Sequence, residues 1–111
     1  MNVHIFINEW IAAGNAFDTE KYLSHYLPDA VLDDSSVRRK FIGQEGIRNY
    51  FESYFIGYNT NTELVHLEVA NAQSVHVEVK FTGDFPEGEI GGTFDIAFKQ
   101  DKISFIKADL I

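Results

Sequence analysis

The sequence predicts an α+β fold, a cone-shaped, curved antiparallel sheet wrapped around three N-terminal helices. Three observations carry this. Apolar residues recur at helical spacing through the first half of the chain, and after Asn59 the period changes to two. In Tyr26-Leu27-Pro28-Asp29-Ala30-Val31-Leu32-Asp33-Asp34 a helical pattern ends at a proline, and an apolar strand follows that runs straight into two adjacent carboxylates. Runs of helix followed by runs of strand indicate α+β, and a curved sheet with one apolar face leaves a cone-shaped interior. The 111 residues suit one domain, 1–111, with no internal repeat, linker or low-complexity segment.

Residues 3–14 read as a helix, with Phe6, Trp10, Ala13 and Phe17 at helical spacing and Ile7 and Ile11 widening the stripe. Gly14-Asn15 is its stop. Asp18 is an N-cap for a short second helix, with Glu20 in its first turn. Leu23, Tyr26 and Leu27 form its buried stripe, and Pro28 is expected to end it because a proline biases the residue before it away from helical angles. Ala30–Leu32 is a short strand, Asp33–Ser36 a polar turn, and Lys40–Ile42 a strand pairing back. Gly43-Gln44-Glu45-Gly46 leads into the clearest helix, where Ile47, Tyr50, Phe51, Tyr54, Phe55 and Tyr58 follow the i, i+3, i+4, i+7 pattern.

Val65, Leu67 and Val69 then alternate with polar residues, as do Val75, Val77, Val79 and Phe81. A three-residue loop, Asn71-Ala72-Gln73, pairs Val69 with Val75, Leu67 with Val77 and Val65 with Val79. It sets Glu68 opposite His76 and His66 opposite Glu78. A one-residue slip would place valines opposite polar residues on both faces. Thr82–Gly88 is a turn. Ile90–Lys99 is a third strand, in which Gly91-Gly92 marks a bulge or bend. Gln100-Asp101-Lys102 turns into the last strand, Ile103–Leu110, with Phe94 opposite Ala108, Ile96 opposite Ile106 and Asp95 opposite Lys107.

Composition narrows the function. Ten Phe and five Tyr are ample for a core and can also line a cavity. A net charge of −8 disfavours nucleic acid and anionic membrane as partners, and Arg38-Arg39-Lys40 is too short a basic run to reverse this. The absence of cysteine excludes disulfides and Cys-based zinc sites. Met1-Asn2-Val3-His4 lacks the charged and apolar regions of a signal peptide, and no apolar run approaches the roughly 20 residues of a membrane span. A cytoplasmic location is expected. His66 and His76 each face a Glu across the hairpin, and His4 and His25 have no ligand partner at i+4, so neither a metal nor a cofactor is expected.

The element order, Tyr26-Leu27-Pro28-Asp29-Ala30-Val31, and Ile42-Gly43-Gln44-Glu45-Gly46-Ile47-Arg48-Asn49-Tyr50-Phe51 resemble the nuclear transport factor 2-like superfamily (cystatin-like fold), and within it the SnoaL-like and ketosteroid isomerase-like branch. Gly92-Thr93-Phe94-Asp95-Ile96 and Lys102-Ile103 fit too. Ketosteroid isomerases use an Asp general base and an oxyanion hole of a Tyr and a protonated Asp. The resemblance implies Asp34 at the base position, Trp10 where the Tyr donor would stand and Phe94 where the protonated Asp would stand. Trp donates only through its indole N–H and Phe not at all. Losing one oxyanion donor costs about 10²–10³ in rate, so the resemblance implies a task other than steroid isomerisation.

The resemblance also implies a small hydrophobic ligand in a cone-shaped pocket and, if the protein is catalytic, an isomerase- or cyclase-type reaction with Asp34 as general base. The candidate lining is Trp10, Tyr26, Tyr50, Tyr54, Phe94 and Ile106. The plainer readings are that Asp33 and Asp34 cap a turn before Ser35-Ser36, and that the aromatic residues are ordinary core. The alternative function is a non-catalytic binding module or a homodimeric association module. Phe105, Ala97 and Ile103 are expected among the charges of the outer sheet face, which the resemblance makes a homodimer surface. A hydrolase would need a second acid and an Arg within the cavity, and no convincing pair stands out.

Overall fold

Two capping side chains open the helical layer. In the computed structural model, which describes residues 1–111, Asn2 Oδ1 accepts the Ile5 N–H (3.1 Å) ahead of α1 (Val3–Asn15). Asp18 Oδ1 accepts the Lys21 N–H (3.1 Å) ahead of α2 (Thr19–Leu23). Then follow β1 (Tyr26–Asp34), β2 (Arg39–Ile42), α3 (Gly43–Phe51) with a π turn (Glu52–Ile56), β3 (Asn61–Asn71), β4 (Ser74–Thr82), β5 (Glu89–Lys99) and β6 (Lys102–Leu110). The six strands form one sheet in the order β2-β1-β6-β5-β4-β3. All neighbours are antiparallel except β1 and β6, which run parallel. The concave face and the helices enclose one core, in which Ile7, Phe51, Leu32, Val77 and Ile106 are 0% exposed. The expected α+β cone is therefore present.

Several local expectations are corrected. α2 ends at Leu23, and Tyr26 is the first residue of β1. Pro28 lies inside that strand, where the pairing of β1 with β6 is interrupted between Tyr26 and Val31. A proline has no N–H to give a ladder, and the interruption needs none. Gln44 Nε2 reaches the Tyr26 and Leu27 carbonyls (3.2 and 3.3 Å) and so replaces the missing strand partner. The third helix stops being α at Phe51, and Gly57 N–H donates to Glu52 O (2.9 Å) across a five-residue π turn.

The β3–β4 hairpin keeps Val69 opposite Val75 and Leu67 opposite Val77, with Glu68 facing His76 and His66 facing Glu78. Its turn is shorter than expected, with Asn71 opposite Ser74, and a second shift places Leu64, not Val65, opposite Val79. Val65 is thereby 65% exposed. Such irregularities on an edge strand discourage pairing with another sheet. Gly91-Gly92 makes no bulge, for the β4–β5 register runs unbroken from Ser74–Ala97 to Thr82–Glu89. Instead the Phe81 ring occupies the space a Cβ at Gly92 would need. The shift in β5–β6 falls at Ala97/Phe98, where Ser104 Oγ donates to Ala97 O (3.1 Å). It turns Ile103 inward to 0% exposure, so Ile103 leaves the outer face where it was expected.

Candidate functional site

β1 delivers Asp34 to the concave side at its last residue, beyond the fully buried Ala30 and Leu32. The Asp34 side of the strand faces a cavity of about 200 Å³. Both hydrogen bonds from Ser36, from N–H (2.9 Å) and from Oγ–H (2.6 Å), fall on Asp34 Oδ1. Oδ2 has no protein partner, although the residue is only 8% exposed. Asp34 thus caps the turn through Oδ1 and also lines the cavity.

The helical wall is aromatic. Tyr50, Tyr54, Phe55 and Tyr58 all line the cavity. The π turn is the reason. An i→i−5 turn accommodates one residue more than an α turn, so both Tyr54 and Phe55 follow Tyr50 onto the same side. Tyr50 packs 5.7 Å from the Tyr54 and Phe55 ring centroids. None of the Tyr50, Tyr54 and Tyr58 hydroxyls bonds to protein. Burial above all raises the Tyr50 pKa well above the ordinary tyrosine value, with the neighbouring Tyr22 and Asp34 adding to it, so Tyr50 is a neutral donor.

The sheet side supplies Phe81 and, from the β4–β5 connection, Phe85 and Glu87. Tyr58 and Phe85 meet edge to face across the mouth (6.3 Å). Glu87 was not singled out in the sequence. It sits in the turn Thr82–Gly88, 53 positions from Asp34, and only the closure of the sheet brings the two carboxyls to one cavity. No Lys, Arg or His lines it. Arg39, opposite Asp34 in the β1–β2 register, lays its guanidinium over the Phe41 ring at 4.6 Å.

Of the residues expected around the ligand, Asp34, Tyr50 and Tyr54 line this cavity, whereas Trp10, Tyr26, Phe94 and Ile106 lie elsewhere in the core. Trp10 Nε1–H donates to Tyr26 Oη (3.1 Å), and Tyr26 Oη–H donates to Tyr22 Oη (2.7 Å). Trp10 stands edge to face with Phe94 (5.1 Å), and the crevice beside them holds only about 10 Å³. Burial raises the pKa values of both Tyr22 and Tyr26.

On the outer face Asp95 does not take Lys107. His76 Nδ1 lies 2.6 Å from Asp95 Oδ1, while Lys107 Nζ lies 3.2 Å from Asp33 Oδ2. The Asp95 hydrogen bond raises the His76 pKa. No helix is long and apolar enough to cross a membrane.

The chain belongs to the SnoaL-like domain family, whose model matches residues 7–105, within the nuclear transport factor 2-like superfamily. No curated protein matches it in sequence. Among solved structures it is similar to Bal32a from a soil-derived mobile gene cassette (TM-score 0.86, 15% identity, 96% of this chain and 87% of the other). It is similar to SalBIII, an epoxide hydrolase/cyclase-like enzyme in pyran ring formation in the polyether salinomycin (TM-score 0.85, 17% identity, 97% and 89%). RV0760c from Mycobacterium tuberculosis, solved in complex with estradiol-17β-hemisuccinate, is similar as well (TM-score 0.81, 16% identity, 94% and 89%). At these identities the likeness is one of fold.

Proposed function

We propose that the protein binds a small, mainly apolar molecule in the cavity beside Asp34, and that Asp34 is the proton acceptor of an isomerase- or cyclase-type reaction. The observation that carries this reading is a carboxylate 8% exposed, its Oδ2 without a protein partner, in the wall of an aromatic cavity. A base needs a site sheltered from water and within hydrogen-bond reach of the proton it removes. Tyr50 is a neutral donor on the same cavity, suited to an oxygen that gains charge as Asp34 takes a proton from the adjacent carbon. Similar folds in an epoxide hydrolase/cyclase-like enzyme and in a protein solved with a steroid ester support a ligand-holding cone. A reducing, cytoplasmic setting fits a chain with no cysteine.

The test is a thermal-shift screen of small apolar carbonyl and amine compounds against the native protein and Asp34→Asn. A ligand at 100 times its dissociation constant adds about 2.7 kcal/mol, plainly visible in a domain of this size. A shift that changes in Asp34→Asn supports the reading. An unligandable protein, with the variant equally stable, overturns it.

A second reading, homodimeric association through the outer face, rests on a separate observation. The registers align Ile42, Val31, Phe105 and Ala97 in one row across four strands, with Ile42 67% and Phe105 39% exposed. Sedimentation is expected to give a dimer that Phe105→Lys converts to monomer; a native monomer removes this reading.

A further inference from the structure

We propose that the cavity beside Asp34 selects an organic cation, a small molecule with a protonated or quaternary nitrogen, over neutral and anionic molecules of the same shape. The inference rests on the reading that this cavity takes a small ligand, and adds the class of that ligand.

Four features converge. The cavity holds two carboxyl groups, Asp34 in its wall and Glu87 at its exposed mouth, and no basic side chain lines it. Asp34 Oδ2 lacks a protein partner in a residue more than nine-tenths buried, so the cavity presents an acceptor without a donor of formal positive charge. Around these groups stand the rings of Tyr50, Tyr54, Tyr58 and Phe81. Aromatic faces carry negative potential and attract an ammonium within about 6 Å of the centroid. Arg39, the cation opposite Asp34 on the adjoining strand, rests on the Phe41 ring and does not line the cavity.

Charge on the larger scale points the same way. A net charge of −8 raises the local concentration of cations and lowers that of anions. Ile90 and Leu110 offer apolar contact for the uncharged part of the ligand. The phenol hydroxyls fit an N–H or O–H donor as readily as an acceptor, so they set orientation rather than charge preference.

Three benzyl probes separate the possibilities: benzyltrimethylammonium, its uncharged carbon isostere neopentylbenzene, and the anion phenylacetate. Binding is followed by amide chemical shifts of Tyr50, Tyr54 and Tyr58 in the full chain. The cation is expected to bind about tenfold tighter than the isostere, with phenylacetate weaker than both. Glu87→Gln is expected to lower the cation's affinity severalfold and leave the isostere unchanged, while Glu9→Gln, the same loss of charge on the exposed face of α1, changes neither. Glu87 is exposed in a turn, so its variant folds. Tyr58→Leu at the mouth is expected to reduce the cation preference in the same way. Equal or tighter binding of the isostere overturns the charge preference and leaves the ligand-holding cavity standing. Cavity resonances unmoved by all three probes overturn both.

Discussion

The interior of the cone has two halves built from the same residue types with opposite outcomes. Under α1 and α2, Trp10, Tyr26 and Tyr22 pass hydrogen bonds to one another, and their rings close on Phe51 and Phe94. Under α3 and the π turn, Tyr50, Tyr54 and Tyr58 line the cavity beside Asp34, and their hydroxyls bond to no protein group. A tyrosine whose hydroxyl finds a tyrosine is core; one whose hydroxyl finds no protein group is wall. The polar tip, more than the ring, separates closed core from cavity wall.

This contrast predicts where substitutions act. The largest effect falls in the closed half. Trp10→Ala should cost about 3–5 kcal/mol in denaturant unfolding, because a 3% exposed indole leaves a void its neighbours cannot fill. Tyr26→Phe should cost about 1–3 kcal/mol, since it strands the buried Trp10 N–H. A loss as small as that of a surface change would mean the hydrogen-bonded chain is not what holds this half together. Thr62→Val, in the same half, should be neutral or raise stability by about 1 kcal/mol. Its Oγ1 is wholly shut off from solvent and has no partner, unlike the unpartnered oxygens that border the cavity, and valine has the same shape.

In the open half, Tyr54→Phe should leave stability within about 0.5 kcal/mol and change ligand binding instead. A large loss of stability there would erase the distinction between the halves. The reverse face of the sheet supplies the smallest effect. The His76 pKa is raised in the folded state by Asp95, so its contribution is fully present below the ordinary value of 6.5 and is lost as pH rises through the raised one. Native stability should fall over that interval relative to His76→Gln, modestly, because the side chain is 34% exposed. Parallel pH profiles would detach His76 from the effect.

The sequence carried the architecture because periodicity reports which face is buried. Val75, Val77 and Val79 could only be an inner face, and the carboxylate after Leu32 could only come at a strand's end. Boundaries failed where one tertiary contact outweighs local preference. Tyr26 became a strand residue because Gln44, from the far side of a turn, donates its Nε2–H to the Tyr26 and Leu27 carbonyls. The lining of the candidate site was half legible. Asp34, Tyr50 and Tyr54 stood out by type and spacing. Trp10 and Tyr26 carry the same chemical signature, and nothing local says that their polar atoms will find each other. Glu87 lies in an unremarkable turn that only sheet curvature brings to the mouth.

The parallel seam between β1 and β6 has a consequence for how the protein comes to have a site at all. The other sheet contacts are short-range hairpins, but the seam joins positions as far apart as Asp33 and Lys107, 74 residues along the chain. Closing such a span costs more chain entropy than closing a hairpin, so β1 is expected to dock late and detach early, which native-state hydrogen exchange checks. A partly folded molecule that keeps β3–β6 intact has most of its sheet and none of its Asp34 wall. A ligand of the proposed kind, by holding Asp34 to the aromatic half, would then also be a clasp on the seam, and adding it should slow hydrogen exchange in β1 more than anywhere else.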